Sequence, residues 1–276
     1  MTVAQTASVQ TATGSVAARF VEARLAGRAL PDYPGPVPTD MATAYAIQDA
    51  AIAAWPDDVA GWKLGRIPPP MDARFGAGRL AGPIFRRNVW AAGSEPTAFE
   101  AIPDGFTAVE AEYVLKIGDA PIAGPRDGLW DAVSVAPHVE AVHIGVEIAG
   151  SPFPGINDHG PAVTASDFGN NAGLILGPAV ADWRERLGDL TCRMEIDGVE
   201  VGTGGARSIP GGPLDSLAFL LNLLEKQGRW IEAGQLISTG AATGVHRIRV
   251  GQSAIADFGR DGRIACVAVP AQGAGA

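Results

Sequence analysis

The chain has 276 residues, of which 47% are hydrophobic and 18% are charged. This length and apolar content predict a globular protein with one large domain or two modest ones. The net charge is −9 and no run of lysine or arginine occurs, so nucleic acid and anionic membranes are not expected as partners.

The sequence carries no signal for secretion or for a membrane span. Residues 1–14 have neither the basic nor the apolar region of a signal peptide, and no stretch approaches the ~18 apolar residues of a spanning helix. Cys192 and Cys266 lie far apart in the sequence, which disfavours a zinc knuckle or a disulfide framework. We therefore expect a soluble, cytoplasmic protein in which residues 1–14 form a flexible N-terminus.

Two helices are predicted near the N-terminus. The first covers residues 16–26 and the second covers residues 41–54. Asp40, with Thr39 before it, is a candidate cap for the second helix, because its side chain can accept hydrogen bonds from free backbone N–H groups. Pro56 ends this helix.

A short strand at residues 59–65 leads into the sequence Ile-Pro-Pro-Pro-Met at 67–71, where proline excludes regular structure. We place a small N-terminal α/β domain at residues 15–100 and a β-rich catalytic domain at residues 101–276. The strands expected after this boundary are 107–117, 139–149, 172–177, 190–196, 236–240, 252–258 and 263–269.

Two local patterns inside the β-rich part are specific. Asp197 and Gly198 lie between two short strand-like segments and predict a tight hairpin turn, since glycine accepts a positive φ. Residues 213–227 predict a helix that ends before Gly228 and buries one apolar stripe. The stripe consists of Leu214, Leu217, Leu220, Leu221 and Leu224.

Glu110 and Glu112 are separated by one alanine inside the predicted strand 107–117. Successive side chains of a strand point to opposite faces, so the two carboxylates share one face. An isolated pair of this kind is most often a solvated strand face. Burial of both charges would require a cation or a proton to compensate them.

Glu147 is the third acidic candidate. The β-branched residues around it favour a strand, which places Glu147 on one face with His143 and Gly145. A helix would instead align Glu140, His143 and Glu147 and would suggest a zinc-like site. The strand is preferred because this segment is a poor helix former, and carboxylates suit hard cations such as Mg²⁺ or Mn²⁺.

Several short motifs follow one another in a characteristic order. They are Gly-Trp-Lys-Leu-Gly at 61–65, Val-Glu-Ala-Glu-Tyr-Val at 109–114, Val-Glu-Ile-Ala-Gly-Ser at 146–151, Ala-Ser-Asp-Phe-Gly-Asn-Asn-Ala at 165–172, and the segments 212–221, 232–240 and 250–259. In this order they resemble the fumarylacetoacetate hydrolase superfamily, and within it the branch of 2-keto-4-pentenoate hydratases and oxalocrotonate decarboxylases. The resemblance covers residues 16–269. It implies an α+β fold, with a small N-terminal α/β unit and a larger mixed β-roll domain, and it implies a homo-oligomer.

The resemblance also implies the roles of individual residues. Glu110, Glu112 and Glu147 are expected to hold Mg²⁺ or Mn²⁺, and Lys63 is expected near the metal as a proton donor, proton acceptor or anion anchor. The implied substrate is a small 2-oxo acid or its 2-hydroxydienoate form. A bound cation stabilises the enolate charge that develops in the reactions of such acids.

Three further residues are candidate substrate-binding groups. Asp167 lies in a polar segment where it could support a ligand or water, although loop capping explains it equally well. Ser238 and Thr239 precede Gly240 at a strand end, where a hydroxyl could bind a carboxylate or take part in ordinary turn chemistry.

The chain departs from the family pattern between residues 67 and 83, where the usual acidic segment is not identifiable and Asp72, Arg74 and Arg79 are possible replacements. The sequence therefore specifies the reaction less well than it specifies the metal site. The leading hypothesis is a lyase of aromatic catabolism that hydrates a 2-hydroxyalka-2,4-dienoate to a 4-hydroxy-2-oxo acid. The alternatives are decarboxylation of an oxalocrotonate-like diacid, carbon–carbon bond hydrolysis of an acylpyruvate, and a catalytically silent protein that binds a keto acid.

Overall fold

The computed structural model describes residues 3–119, 122 and 128–273, without the side chains of residues 3–11. The helices in this part of the chain are α1 (Val3–Leu25), α2 (Met41–Ala54), α3 (Met71–Phe75), α4 (Ala132–Val135), α5 (Pro161–Ser166), α6 (Trp183–Arg186) and α7 (Pro213–Lys226). None of the helices within the described residues is long and apolar enough to span a membrane.

The strands form two sheets. They are β1 (Val59–Arg66), β2 (Arg79–Phe85), β3 (Val89–Ala91), β4 (Thr97–Ala101), β5 (Phe106–Ile117), β6 (Val139–Ser151), β7 (Asn171–Ala179), β8 (Thr191–Ile196), β9 (Val199–Gly205), β10 (Leu236–Ser238), β11 (His246–Arg247), β12 (Ser253–Asp257) and β13 (Arg263–Pro270). Within the described residues, the larger sheet has the order β2-β1-β10-β5-β6-β7-β3, with β11 also paired to β5, and the smaller sheet has the order β4-β13-β12-β8-β9. The predicted α+β class with a large mixed sheet is confirmed.

The helical predictions hold best where the sequence provides a clear end signal. Helix α2 covers the predicted residues, and the Asp40 carboxylate accepts a hydrogen bond of 2.7 Å from the backbone of Thr43. Helix α1 starts at Val3 and not at residue 16, because no proline or glycine interrupts the chain before Gly14. The flexibility expected for residues 1–14 stays a prediction, and residues 1 and 2 lie outside the described part.

Helix α7 and the hairpin between β8 and β9 were also predicted correctly. Four leucines of the α7 stripe are buried in the main hydrophobic core, and Leu214 packs against that core. Asp197 and Gly198 both have positive φ, at 49° and 78°, as a two-residue hairpin turn with this twist requires.

Strands β5 and β6 form the centre of the larger sheet. They pair in antiparallel register over nearly their full length, and almost every side chain of β5 is buried on both faces. Strand β1 joins the same sheet through parallel pairing with β10, which in turn pairs with β5. Chain segments on both sides of residue 100 thus share one sheet, and the division into domains at that residue stays a prediction.

Candidate active site

The pairing of β5 with β6 brings three glutamates together. Glu110 faces Glu147 directly across the two strands, and Glu112 follows two residues later on the same face of β5. All three side chains are buried, and each offers a carboxylate oxygen within 4.8 Å of the others. The strand interpretation of the segment around Glu147 is confirmed, so the helical alternative with Glu140 and His143 was wrong.

Lys63 reaches this cluster from β1. Its ammonium Nζ lies 3.3 Å from Oε1 of Glu147, and its side chain is 5% exposed. Strand β1 can lie close to β10 because residue 61 is glycine; a Cβ atom there would overlap the backbone of Leu236. Lys63 pairs with Ser238 in this register, so only β10 lies between the strand of the lysine and β5.

Burial and mutual proximity shift the pKa values of charged groups in this cluster. Burial raises the pKa of Glu110 to about 8, with a further increase from the charge of Glu147 and a decrease from Lys63. Burial, followed by the charges of Glu147 and Glu110, places the pKa of Glu112 well above its usual range. Burial lowers the pKa of Lys63, but the three carboxylates outweigh this effect and leave it raised. The charged forms of the carboxyl groups therefore need a compensating cation or proton.

Other groups orient the carboxylates and leave part of them without a partner. Ser238 Oγ donates to Oε2 of Glu112 at 2.5 Å, and the backbone N–H of Gly240 donates to the same oxygen at 2.8 Å. Asn171 Nδ2 donates to Oε1 of Glu147 at 3.0 Å. Glu112 Oε1 and Glu147 Oε2 are buried and have no hydrogen-bond partner among the described residues.

The two oxygens without a partner show whether the site suits a metal ion. Buried polar atoms are nearly always satisfied, and an unsatisfied carboxylate oxygen is especially costly. A set of three carboxylates is the donor set that a hard divalent cation such as Mg²⁺ or Mn²⁺ prefers. The residues present therefore fit such an ion.

A cavity of about 600 Å³ opens next to this cluster. Lys63 and Glu110 line it, whereas Glu112 and Glu147 are completely buried beside them. Its volume is sufficient for a small organic acid. Polar and charged groups elsewhere in the lining are Arg66, Arg79, Asn157, Asp158, Thr164, Asn170, Ser208 and Thr239.

Comparisons with known proteins agree with this arrangement. No family model matches the sequence. A 4-oxalocrotonate decarboxylase of a Pseudomonas species is 28% identical over 244 residues, which cover 86% of this chain and 91% of the relative. A 2-oxo-hept-4-ene-1,7-dioate hydratase of Escherichia coli is 35% identical over 165 residues, which cover 57% of this chain and 59% of the relative. The chain is a homologue of these two enzymes.

Solved structures show the same fold. The 4-oxalocrotonate decarboxylase of Pseudomonas putida G7, complexed with magnesium and adipate, has a TM-score of 0.76 at 22% identity and covers 98% of this chain and 99% of its own. The same enzyme with calcium and acetate gives 0.77 at 22% identity, covering 94% and 98%. A fumarylpyruvate hydrolase of Pseudomonas aeruginosa with Mn²⁺ and pyruvate gives 0.51 at 14% identity, covering 76% and 89%. The resemblance to the superfamily and to its hydratase and decarboxylase branch is confirmed.

The three residues predicted to bind substrate contact other groups of the protein. Ser238 bonds to Glu112, as described above, and Thr239 lines the cavity but donates its hydroxyl to the Tyr113 carbonyl at 2.7 Å. Asp167 lies outside the cavity lining and pairs with Arg24 at 2.7 Å. Their roles toward a substrate stay predictions.

The cavity contains further groups that were not predicted to bind substrate. The Arg66 side chain is exposed and has no ion-pair or hydrogen-bond partner within the described residues. Arg79, one of the replacements considered for the missing acid, bonds to Asp215 at 3.2 Å and to the Pro210 carbonyl. Asn170 is buried. Asn170 lies within the motif at 165–172, whereas Arg66 and Arg79 were marked only by their position near the lysine motif. Neither signal specifies the direction of a side chain.

Proposed function

We propose that this protein is a divalent-metal-dependent lyase that acts on an unsaturated 2-oxo acid or on its 2-hydroxydienoate form. The observation that carries the proposal is the set of three buried glutamates and one buried lysine beside a cavity of about 600 Å³. Two carboxylate oxygens of this set lack a partner among the described residues. In a closed ion-pair network these oxygens would be paired, so their lack of a partner favours a cation site.

Glu110, Glu112 and Glu147 would hold the ion. When bound, Mg²⁺ or Mn²⁺ would supply a Lewis acid that stabilises the negative charge of an enolate. The hydrogen bonds from Ser238 and Gly240 hold Glu112 in place, and the one from Asn171 holds Glu147. Such bonds keep carboxylates oriented and limit the reorganisation that binding requires.

Lys63 is the proposed catalytic residue. Its ammonium group is anchored by Glu147 and lines the cavity, so it can hold the carboxylate of a ligand or exchange a proton with a reacting carbon atom. Burial excludes water around it and strengthens its electrostatic interaction with an anionic ligand. A surface lysine would offer neither the fixed position nor the low dielectric environment.

Two reactions remain candidates because they share the same dienolate. Hydration, the leading hypothesis from the sequence, is supported by the 35% identical region in the hydratase. Decarboxylation is supported by the similarity that extends over 91% of the decarboxylase. Decarboxylation also requires fewer groups in the cavity, since CO₂ can leave without a positioned water. For the water that hydration requires, Asp158 is the only carboxylate besides Glu110 among the described lining residues.

The substrate is proposed to carry a second carboxylate. Both relatives are named for diacids, and Arg66 offers this cavity a guanidinium group that no described residue neutralises. Arg79 lies opposite Arg66 on the neighbouring strand but is paired with Asp215. An anionic group at the far end of the ligand would offset the repulsion between the two arginines.

Product analysis tests the proposal and separates the reactions. The purified protein with Mg²⁺ or Mn²⁺ is incubated with 2-hydroxymuconate-type diacids, with 2-hydroxypenta-2,4-dienoate and with an acylpyruvate, and products are identified by NMR and by CO₂ release. Gain of water without fragmentation identifies a hydratase, and loss of CO₂ identifies a decarboxylase. Two fragments from an acylpyruvate would identify a hydrolase instead. Absence of turnover with every acid and metal would leave the catalytically silent binding protein.

Homo-oligomeric assembly, which the resemblance implies, and cytoplasmic location, which the sequence features favour, are also part of this proposal. Size-exclusion chromatography with light scattering checks the assembly. A monomer at assay concentration would contradict it.

A further inference from the structure

One wall of the cavity contains a backbone turn of unusual conformation. Phe168, Gly169 and Asn170 all have positive φ, at 53°, 61° and 64°. Residues other than glycine rarely adopt this left-handed region, and the conformation persists only where surrounding contacts impose it. We call residues 168–170 the left-handed turn. Conformations of this kind cluster at active sites and ligand-binding sites.

The guanidinium group of Arg24 holds both ends of the left-handed turn. It donates to the two carboxylate oxygens of Asp167 at 2.7 and 2.9 Å, and to the carbonyl oxygen of Asn171 at 3.0 Å. Its central carbon also lies 5.0 Å from the ring centroid of Phe168. A single side chain from α1 therefore contacts the residue before the turn, the residue after it and the turn itself.

Strand β2 supports the turn from the other side. A Cβ atom at Gly82 would overlap the carbonyl group of Phe168, so only glycine allows the two backbones to lie this close. Gly82 is the register partner of Lys63, and directly opposed residues of two strands project to the same face. The turn therefore lies on the face of the sheet from which Lys63 points.

The left-handed turn places an amide group in the cavity wall. Asn170 lines the cavity and is 3% exposed. Its carboxamide oxygen Oδ1 is buried and has no hydrogen-bond partner among the described residues. The neighbouring Asn171, by contrast, uses its amide to bond Glu147. A buried amide oxygen without a donor is costly, and a ligand that brings a donor would remove this cost.

We propose that Asn170 is a ligand-binding residue and that its carboxamide oxygen accepts a hydrogen bond from a hydroxyl group of the ligand. This inference deepens the proposed function and rests on it for the identity of the substrate. A 2-hydroxydienoate carries such a hydroxyl, whereas its 2-oxo tautomer carries none. Asn170 thus selects the hydroxy form of the acid, and Arg24 acts as a positioning residue for the turn that presents it.

The test compares a small acid that has a hydroxyl group with a small diacid that has none. Glycolate carries a hydroxyl beside its carboxylate and oxalate does not. Binding of each is measured by calorimetry, with and without MgCl₂, for the unaltered protein and for Asn170→Gly. Glycine keeps the positive φ and removes the amide, so the fold is retained. Asn157→Gly, at another asparagine of the cavity lining, is the matched control.

We expect Asn170→Gly to weaken glycolate binding about tenfold, the effect of one lost hydrogen bond to a buried group, and to leave oxalate binding within about twofold. Asn157→Gly is expected to change neither. Asn170→Asp retains an acceptor, so its ratio of glycolate to oxalate affinity should not fall below that of the unaltered protein. If the unfolding temperature of Asn170→Gly is equal to or above that of the unaltered protein, the turn is intact.

Three results would overturn the inference: equal loss of both acids in Asn170→Gly, no loss of either, or no glycolate binding by the unaltered protein. Failure of the proposed function has a different signature. The protein would then process none of the unsaturated acids, while the glycolate and oxalate affinities would still report on Asn170.

Discussion

Glu147 is the carboxylate of the three that forms an ion pair with Lys63. It faces Glu110 across the strands, accepts a hydrogen bond from Asn171, and lies 3.3 Å from the Lys63 ammonium group. Its second oxygen has no partner among the described residues. Removal of its charge should therefore affect metal binding without leaving a new buried anion.

Glu147→Gln is expected to weaken Mg²⁺ or Mn²⁺ binding by at least about 100-fold, because a neutral amide replaces one of three anionic ligands. Isothermal titration with the metal alone measures this effect. Glu140→Gln is the matched control, since Glu140 is an exposed glutamate on the same strand. Equal affinities in the two variants would exclude Glu147 as a ligand.

Lys63→Met should lower kcat by about 10²–10⁴-fold, the range for loss of a positioned acid or base. Metal affinity should stay the same or increase, since the substitution removes a positive charge beside the ion. The control is Lys116→Met, at a partly exposed lysine on β5 that pairs with Glu140. Unchanged turnover in Lys63→Met, with metal binding intact, would show that the lysine has no catalytic role.

Arg66→Gln tests the second carboxylate of the substrate. Because Arg66 is exposed, we expect a modest effect, about a fivefold rise in KM for a diacid and no change for a monoacid. Arg74→Gln is the control, at an exposed arginine outside the described cavity lining. A parallel rise in KM for both acids would indicate a general electrostatic effect and not recognition of a distal group.

At the scale of residues, the sequence predicted which carboxylates meet but not which groups support them. Glu110 and Glu112 share a face because strand geometry has a period of two, and this follows from the local sequence alone. The bond from Ser238 to Glu112 joins residues 126 positions apart. It depends on the pairing of β10 with β5, which no local pattern specifies.

Among the elements, the contact between β2 and the left-handed turn decides the shape of the cavity wall. Gly82→Ala would force its Cβ atom into the carbonyl group of Phe168, and we expect unfolding free energy to fall by at least about 2 kcal/mol. Gly78→Ala, where the added atom would meet nothing within 4 Å, should stay within about 0.5 kcal/mol. Urea denaturation measures both, and similar stabilities would contradict the close backbone contact.

Strand β2 also shows why the segment from residue 67 to 83 was not predicted. Gly82 and Pro83 interrupt any strand-like pattern, and proline cannot donate to a ladder of backbone hydrogen bonds. The strand is nevertheless formed because β2 lies at the edge of the described sheet, where a missing donor is tolerated. Helices α2 and α7 were predicted correctly because Asp40 and the leucine stripe are local signals.

At the scale of the whole molecule, the site joins distant parts of the chain. Lys63 comes from β1, two glutamates from β5 and one from β6, while Arg24 connects α1 to the residues that flank the left-handed turn. The family resemblance predicted the fold class and named the three glutamates that meet in the structure. It did not predict the contacts of Arg24 with Asp167 and Asn171, which join residues more than 140 positions apart.

Metal binding should consequently stabilise the entire fold. The cost of three buried carboxylates falls when a divalent cation compensates them, and a ligand at 100 times its Kd contributes about 2.7 kcal/mol. For a chain of this size, that predicts a rise in Tm of roughly 5–10 °C with Mg²⁺ or Mn²⁺. Differential scanning calorimetry with and without EDTA measures the rise. Glu140→Gln should retain it and Glu147→Gln should lose most of it; an equal rise in both would place the stabilising ion elsewhere in the molecule.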